Sequence, residues 1–313
     1  MLPCAIAVSR AGPLTLFPRQ FWMESTPNTE SLFAVHARSF DANRYVYPVL
    51  SRRSGGISIG VNLNLDKICN FDCIYCQVDR TQLGPKQKVD VGRLVEELEA
   101  MVALVTSGRI YEETKFRDTP APLRRLNDIA LSGDGEPTTY PNFPEIVAAC
   151  AEVRRRHGLD DVKLVLITNA TMFHRERVRS GLAILDANHG EIWAKLDAGT
   201  AAYYQEVDRT SIPFQRILDN LVDAARVRPI LIQSLFMRVH GVATPPAEQA
   251  AYCQRLGEIV AAGGKIQGVQ IHTIARQPAE SWVTPLSNEE VDAVANVVRQ
   301  RTGLPVATFY GAY

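Results

Sequence analysis

Lys67-Ile-Cys69-Asn-Phe-Asp-Cys73-Ile-Tyr-Cys76-Gln77 gathers three cysteines within eight residues, half of the six in this 313-residue chain. The spacing C-x3-C-x2-C lets one loop present three thiolates to a single cubane iron–sulfur cluster. A cluster that only carries electrons takes four protein thiolates, so three leave one iron open to a substrate or cosubstrate. Structural zinc wants four Cys or His ligands from paired short knuckles. No second knuckle is present: Cys4, Cys150 and Cys253 are isolated, and no histidine lies near the triplet. A disulfide framework belongs to short, cysteine-dense secreted chains, and this chain is long and cysteine-poor. Cys69, Cys73 and Cys76 are therefore read as metal ligands.

Outward from this run, short β-branched segments alternate with helical stripes, the pattern of βαβ units and a parallel sheet. Strands are expected at 57–62, 128–132, 163–168, 191–197, 231–238 and 268–275. Helices are expected at 91–107, 143–157, 217–227, 247–262 and 288–301, the last introduced by Ser287 with Glu290 three residues on, a capping box. A short final strand is expected at 305–310. Six strand–helix repeats are too few for a closed eight-fold barrel. Parallel barrels carry their chemistry on the loops after the strands, and the cysteine loop follows the first strand. The stretch 109–127, polar and with two prolines, reads as a solvated surface loop, with a substrate lid as the alternative.

Three further strand ends carry chemistry. Ser132-Gly133-Asp134-Gly135-Glu136-Pro-Thr138 follows the second strand, with two glycines that permit close backbone approach and with acidic acceptors. Thr168-Asn169-Ala170 ends the third. In Lys195-Leu-Asp197-Ala-Gly-Thr200, strict alternation points Lys195 and Asp197 the same way, which requires either an ion pair or a polar ligand. Both are catalytic candidates, and a desolvated Lys195 would suit a Schiff base with a keto acid. His272 reads as a satisfied core histidine.

Hydrophobic residues make up 46% of the chain, charged residues 22%, and the formal net charge is zero. That composition is ordinary for a globular protein and argues against non-specific duplex binding. No apolar run approaches the ~20 residues of a membrane span. Residues 1–30 hold four prolines and show no period of 2 or 3.6, nor the apolar stretch of a signal peptide. Coherent patterning begins only after Met23, which suggests that translation starts there; intact-mass measurement on native protein tests this. The expected division is an extension at 1–54, partly disordered, a core barrel at 55–280, and a C-terminal helix and capping segment at 281–313. Clustered reduced cysteines point to the cytoplasm.

The cysteine spacing resembles the signature of the radical S-adenosylmethionine superfamily. The resemblance spans about residues 55 to 280 and implies an α/β fold, an open, TIM-like (βα)6 partial barrel. It also implies a [4Fe-4S] cluster that binds S-adenosyl-L-methionine at its open iron, reductive cleavage of that cosubstrate, and hydrogen abstraction by a 5′-deoxyadenosyl radical. The Gly133-Asp134-Gly135-Glu136 run looks like the family's Gly-Gly-Glu element, which binds the amino group of S-adenosylmethionine. Asp134 departs from that pattern and leaves open which acidic residue or carbonyl makes the contact. Thr168 and Asn169 are similar to the family's Thr-Asn-Gly ending, which serves the ribose or the methionine carboxylate. Tyr75 occupies the aromatic position that packs beside the adenine, and Ser234, in the fifth strand, joins the cofactor-binding candidates.

Gly60-Val-Asn-Leu-Asn-Leu65 and the Lys195 run are similar to a branch of iron–sulfur oxidoreductases related to wyosine-type tRNA-modifying enzymes. Members of that branch that modify tRNA carry further cysteines upstream of the triplet; here only Cys4 precedes it, and no second cluster is expected. The implied substrate is a small molecule, peptide or nucleoside, with an electron donor such as flavodoxin or ferredoxin and no membrane. Base modification of tRNA is the alternative, which balanced charge does not support. A non-catalytic iron–sulfur redox or sensor protein is a third reading.

Overall fold

A computed structural model describes residues 40–311. The expected start at Met23 and most of the extension lie outside the described residues. The six expected strands form the middle of one curled sheet: β2 (Gly56–Val61), β3 (Leu126–Leu131), β4 (Lys163–Thr168), β5 (Gly190–Lys195), β6 (Ile230–Leu235) and β9 (Ile266–His272). They run parallel, and β11 (Val306–Phe309) continues them beside β9. At the other edge β1 (Val46–Ser51) pairs antiparallel with β2, giving the order β1-β2-β3-β4-β5-β6-β9-β11. The architecture is α/β, a mostly parallel eight-stranded half-barrel. Its sheet begins at Val46, inside the stretch expected as extension, and ends in β11, inside the stretch expected as cap.

Alternation along the strands sets two layers. Ile57, Ile59, Val61, Leu164 and Leu166 are fully buried in the main core under the helices. The opposite parity, Ala130, Val165, Trp193 and Leu231, forms a separate small cluster inside the curl. Helices α1 (Val91–Thr106), α2 (Phe143–Arg156), α3 (Glu176–Asp186), α4 (Ala201–Asp208), α5 (Phe214–Val227), α6 (Pro246–Ala261) and α7 (Asn288–Thr302) cover the outside. On α1, Leu94, Leu98 and Val102 are wholly buried, each stabilising the fold by about 1.5–3 kcal/mol. The expected capping box at Ser287 and Glu290 is present.

Four elements differ from the sequence expectation. The run 231–238 is not one strand. It breaks after Leu235, and β7 (Met237–Val239) leaves the barrel to pair with β8 (Val242–Ala243) and β10 (Val283–Pro285) in a small antiparallel sheet. Helices α3 and α4 were not anticipated, because their stripes are short and interrupted by charge. The β1 strand escaped notice because Pro48 sits within it, which an edge strand tolerates. Among the described residues no helix is long and apolar enough to cross a membrane.

Candidate active site

The cysteine loop leaves the top of β2 and is held from three sides. On one flank the backbone N–H groups of Asp72 and Ile74 donate to the carbonyls of Asp208 (3.1 Å) and Val207 (2.9 Å) at the end of α4. Phe71 packs edge-on against Tyr204 of that helix, and the Thr210 hydroxyl donates to the Asn70 carbonyl at 2.8 Å. On the second flank Asn70 accepts from Asn169 Nδ2 and donates to Thr171 Oγ1, each at 2.7 Å. On the third, the N–H of Ala279 donates to the Cys76 carbonyl at 3.1 Å, and Gln77 Nε2 to the Arg276 carbonyl at 3.2 Å. The loop after β9 thus lies on the cysteine loop.

Two cations touch the cysteine sulfurs. Lys195 Nζ, at the end of β5, lies 2.8 Å from Cys73 Sγ, and Arg80 Nη2 lies 3.4 Å from Cys76 Sγ. The Lys195 ammonium also sits 2.6 Å from Asp208 Oδ1, an ion-pair contact without hydrogen-bond alignment, and 3.3 Å from Asp197 Oδ2. It stands 4.8 Å from the ring centres of both Phe71 and Tyr75. Burial alone would lower this ammonium; Asp208, Cys73, Tyr75 and Asp197 outweigh it and hold Lys195 well above the usual lysine range. A Schiff base needs a neutral amine, so the geometry opposes that role for Lys195. Asp197 is likewise spent: Oδ1 accepts from the Leu235 N–H at 2.8 Å, and Oδ2 accepts from the Tyr75 hydroxyl.

The donor set fits an iron–sulfur cluster. Burial pushes the Cys73 and Cys69 thiols up, so thiolates here require positive charge, which iron supplies on coordination. Among the described residues no three His, Cys, Asp or Glu side chains close on a single ion position. A cubane sets no such requirement, because each thiolate takes a different corner.

The Gly-Asp-Gly-Glu loop behaves differently from its sequence reading. A Cβ on Gly133 would stand 2.2 Å from Asn62 Oδ1, and one on Gly135 would stand 2.3 Å from the Ile68 carbonyl. The close approach is therefore to the chain's own β2 end and cysteine loop. Glu136 is turned inward, 3% exposed. Its Oε1 accepts from the Thr138 N–H and hydroxyl and from Thr168 Oγ1, and its Oε2 from the Asn169 N–H at 2.7 Å. Asp134 stays half-exposed, with Asn62 Nδ2 donating to its Oδ2 at 2.7 Å.

Thr168 and Ser234 are likewise turned inward. Thr168 faces Glu136 and also accepts from the Ala170 N–H. Ser234 is fully buried on the helix side of β6, bonded to the Leu196 carbonyl and the Tyr252 hydroxyl, each at 2.6 Å. The Asn169 side chain is occupied by Asn70 and Thr171. His272 is half-buried: its Nδ1 finds no partner among the described residues, while the Gln270 backbone bonds its imidazole. Asn70, Asp208 and Arg80 escaped the sequence reading. Asn70 and Arg80 sit in or beside the cysteine run, where position alone was a signal; Asp208 lies on the unread helix α4.

Three cysteines, a glycine-rich turn and buried charge thus meet where the parallel strands of a partial barrel end. The family description "Radical SAM superfamily" matches residues 63–232. The chain belongs to that superfamily. It is similar to a UPF0026 protein of Helicobacter pylori strain J99, 25% identical over 182 residues, covering 58% of this chain and 51% of that one. A UPF0026 protein of Synechocystis is 30% identical over 178 residues, covering 56% of each. A protein named GTPase Obg of Brachyspira hyodysenteriae is 25% identical over 185 residues, 58% of this chain and 23% of that one. The chain spans about half the length of these UPF0026 relatives and less than a quarter of the Obg protein. A solved structure, archaeal TYW1, superposes with a TM-score of 0.42 at 13% identity, covering 78% of this chain and 72% of that one.

Proposed function

We propose that Cys69, Cys73 and Cys76 hold a [4Fe-4S] cluster and that the enzyme acts by hydrogen abstraction from a small organic substrate. With S-adenosylmethionine on its open iron, such a cluster supplies reductive cleavage of the sulfonium and a 5′-deoxyadenosyl radical. The observation that carries this reading is the fixing of one cysteine loop by the ends of successive strands: Asn70 to the β4 end, Cys73 to Lys195 of β5.

The chain's residues divide the work. Lys195 and Arg80 place positive charge on two of the sulfurs, which eases electron entry. Asp208 and Asp197 hold Lys195 in place. Asp134, half-exposed beside the cysteine loop, is the acidic acceptor for the cosubstrate's amino group, with Gly133 and Gly135 shaping the turn. Glu136, Thr168 and Asn169 support that turn and the loop. Tyr75 offers its ring to the adenine while its hydroxyl is pinned by Asp197. A small electron donor such as flavodoxin or ferredoxin supplies the electron, in the cytoplasm.

Anaerobic reconstitution with iron and sulfide, followed by assay for 5′-deoxyadenosine under several reductants, tests this. Wild type produces it and Cys73→Ala does not; a fully loaded wild type that makes none refutes the reading.

A further inference from the structure

The chain between β9 and β10 leaves the barrel and returns as a loop with a closed neck. At the neck the Leu286 N–H donates to Thr273 Oγ1 at 2.9 Å, and both residues are buried. Ile274 and Val283, one on each side of the neck, belong to an apolar cluster separate from the main core. That cluster also holds Ile74 of the cysteine loop and Val207 of α4. Beyond the neck, residues 275–282 form no helix or strand, and Gln277, Ala279 and Ser281 are exposed. We infer that residues 275–282 are a lid over the cysteine loop, hinged at this neck and latched by Arg209, just past the end of α4.

Three observations support it. First, one cation gathers the tip of the loop. Arg209 Nη1 lies 2.6 Å from Glu280 Oε1 and 3.7 Å from Asp72 Oδ2 of the cysteine loop. Its guanidinium also stands over Trp282, 5.6 Å from the ring centre, and His240 of the β7–β8 turn stacks on the same ring at 4.4 Å. Second, the segment lies on the cysteine loop, with the Ala279 N–H on the Cys76 carbonyl and the Gln77 side chain on the Arg276 carbonyl. Third, it bounds a space: a cavity of about 230 Å³ is lined by Thr273, Ala275 and Arg276 together with Tyr75, Cys76 and Gln77. The neck is fixed by buried contacts, whereas the side chains of Arg209 and Glu280 stay 36% and 30% exposed. Exposed ion pairs are worth little and weaken in salt, so the tip opens at far lower cost than the neck. Such a hinge needs only a few residues to absorb the change in backbone angles. A closed lid keeps water and stray hydrogen donors away from a reactive intermediate.

What the lid shields rests on the radical reading, and the test of its opening is independent of turnover. Hydrogen–deuterium exchange is followed by mass spectrometry on the full chain, reconstituted anaerobically, in wild type, R209Q, E280Q and the double variant. Loss of the latch is expected to speed exchange across 275–282 about three- to tenfold, with the double variant no faster than R209Q. Peptides covering α4 and 283–286 are expected to keep wild-type rates, and iron release to an external chelator to accelerate with the lid. Unchanged exchange in 275–282 overturns the inference, as does a rise spread equally over α4 and the neck. Iron release that stays at the wild-type rate while the lid exchanges faster also overturns it, because the segment then covers nothing. Should the variants not fold, wild type is compared in about 0.05 M and about 1 M potassium chloride. Faster exchange at high salt confined to 275–282 supports the latch, and equal rates refute it. A fully loaded wild type that makes no 5′-deoxyadenosine refutes the radical reading alone and leaves the exchange result standing.

Discussion

The ammonium of Lys195 bridges the sulfur of Cys73 and the carboxylate of Asp208, at 2.8 and 2.6 Å. Three chain segments are joined there: the cysteine loop, the end of β5 and the end of α4. A positive charge touching a thiolate stabilises the extra electron of a reduced cluster. Lys195→Met is expected to lower the cluster's reduction potential by on the order of tens of millivolts, and Lys195→Arg to hold it close to wild type. A potentiometric titration followed by paramagnetic resonance reads this. The Met variant also leaves Asp208 and Asp197 unpaired, costing about 3–5 kcal/mol of stability.

Asp134 and Glu136 separate by exposure. Asp134→Asn is expected to weaken S-adenosylmethionine binding about tenfold, one charge-assisted hydrogen bond's worth, with little change in melting temperature. Glu136→Ala is expected to act mainly on stability, losing about 2–4 kcal/mol, because it strands the donors of Thr138, Thr168 and Asn169. Equilibrium binding and chemical denaturation of both variants distinguish the two roles.

Asp128 is buried inside the curl, with Ser58 donating to it. Burial raises its carboxyl from 3.8 to about 6. Because the folded value lies above the unfolded one, the native state binds more protons between them. Its contribution is present below about pH 4 and lost as pH rises through about 6. Asp128→Asn keeps an acceptor for Ser58 and is expected to gain about 2 kcal/mol at pH 7, removing this part of the stability–pH slope. Urea unfolding at pH 4, 5, 6 and 7 checks it.

Gly135 lies against the backbone that carries Cys69. A methyl there meets the Ile68 carbonyl at 2.3 Å, and backbone cannot swing aside as a side-chain tip does. Gly135→Ala is expected to cost about 1–3 kcal/mol and to reduce iron incorporation after reconstitution. Iron and sulfide analysis beside a melting curve reads both.

The strands were legible because each carries a short run of apolar residues between helical stripes, and β4 matches its expected bounds of 163–168. The cysteine triplet was legible because its spacing is local. Strand alternation also placed Lys195 and Asp197 on one face, where they now pair. The partners of Thr168 and Ser234 were not legible for a related reason. Parity places both on the helix side, but their partners, Glu136 and Tyr252, come from other elements.

The order of parallel strands and the loop that bears three thiolates follow from periodicity and spacing, which are properties of neighbouring residues. Which buried carboxylates hold Lys195 and which acid of the glycine turn is turned inward are decided only by tertiary structure. Those contacts join residues far apart in the chain. Their cost or benefit is set by desolvation and by partners that exist only once the sheet has curled.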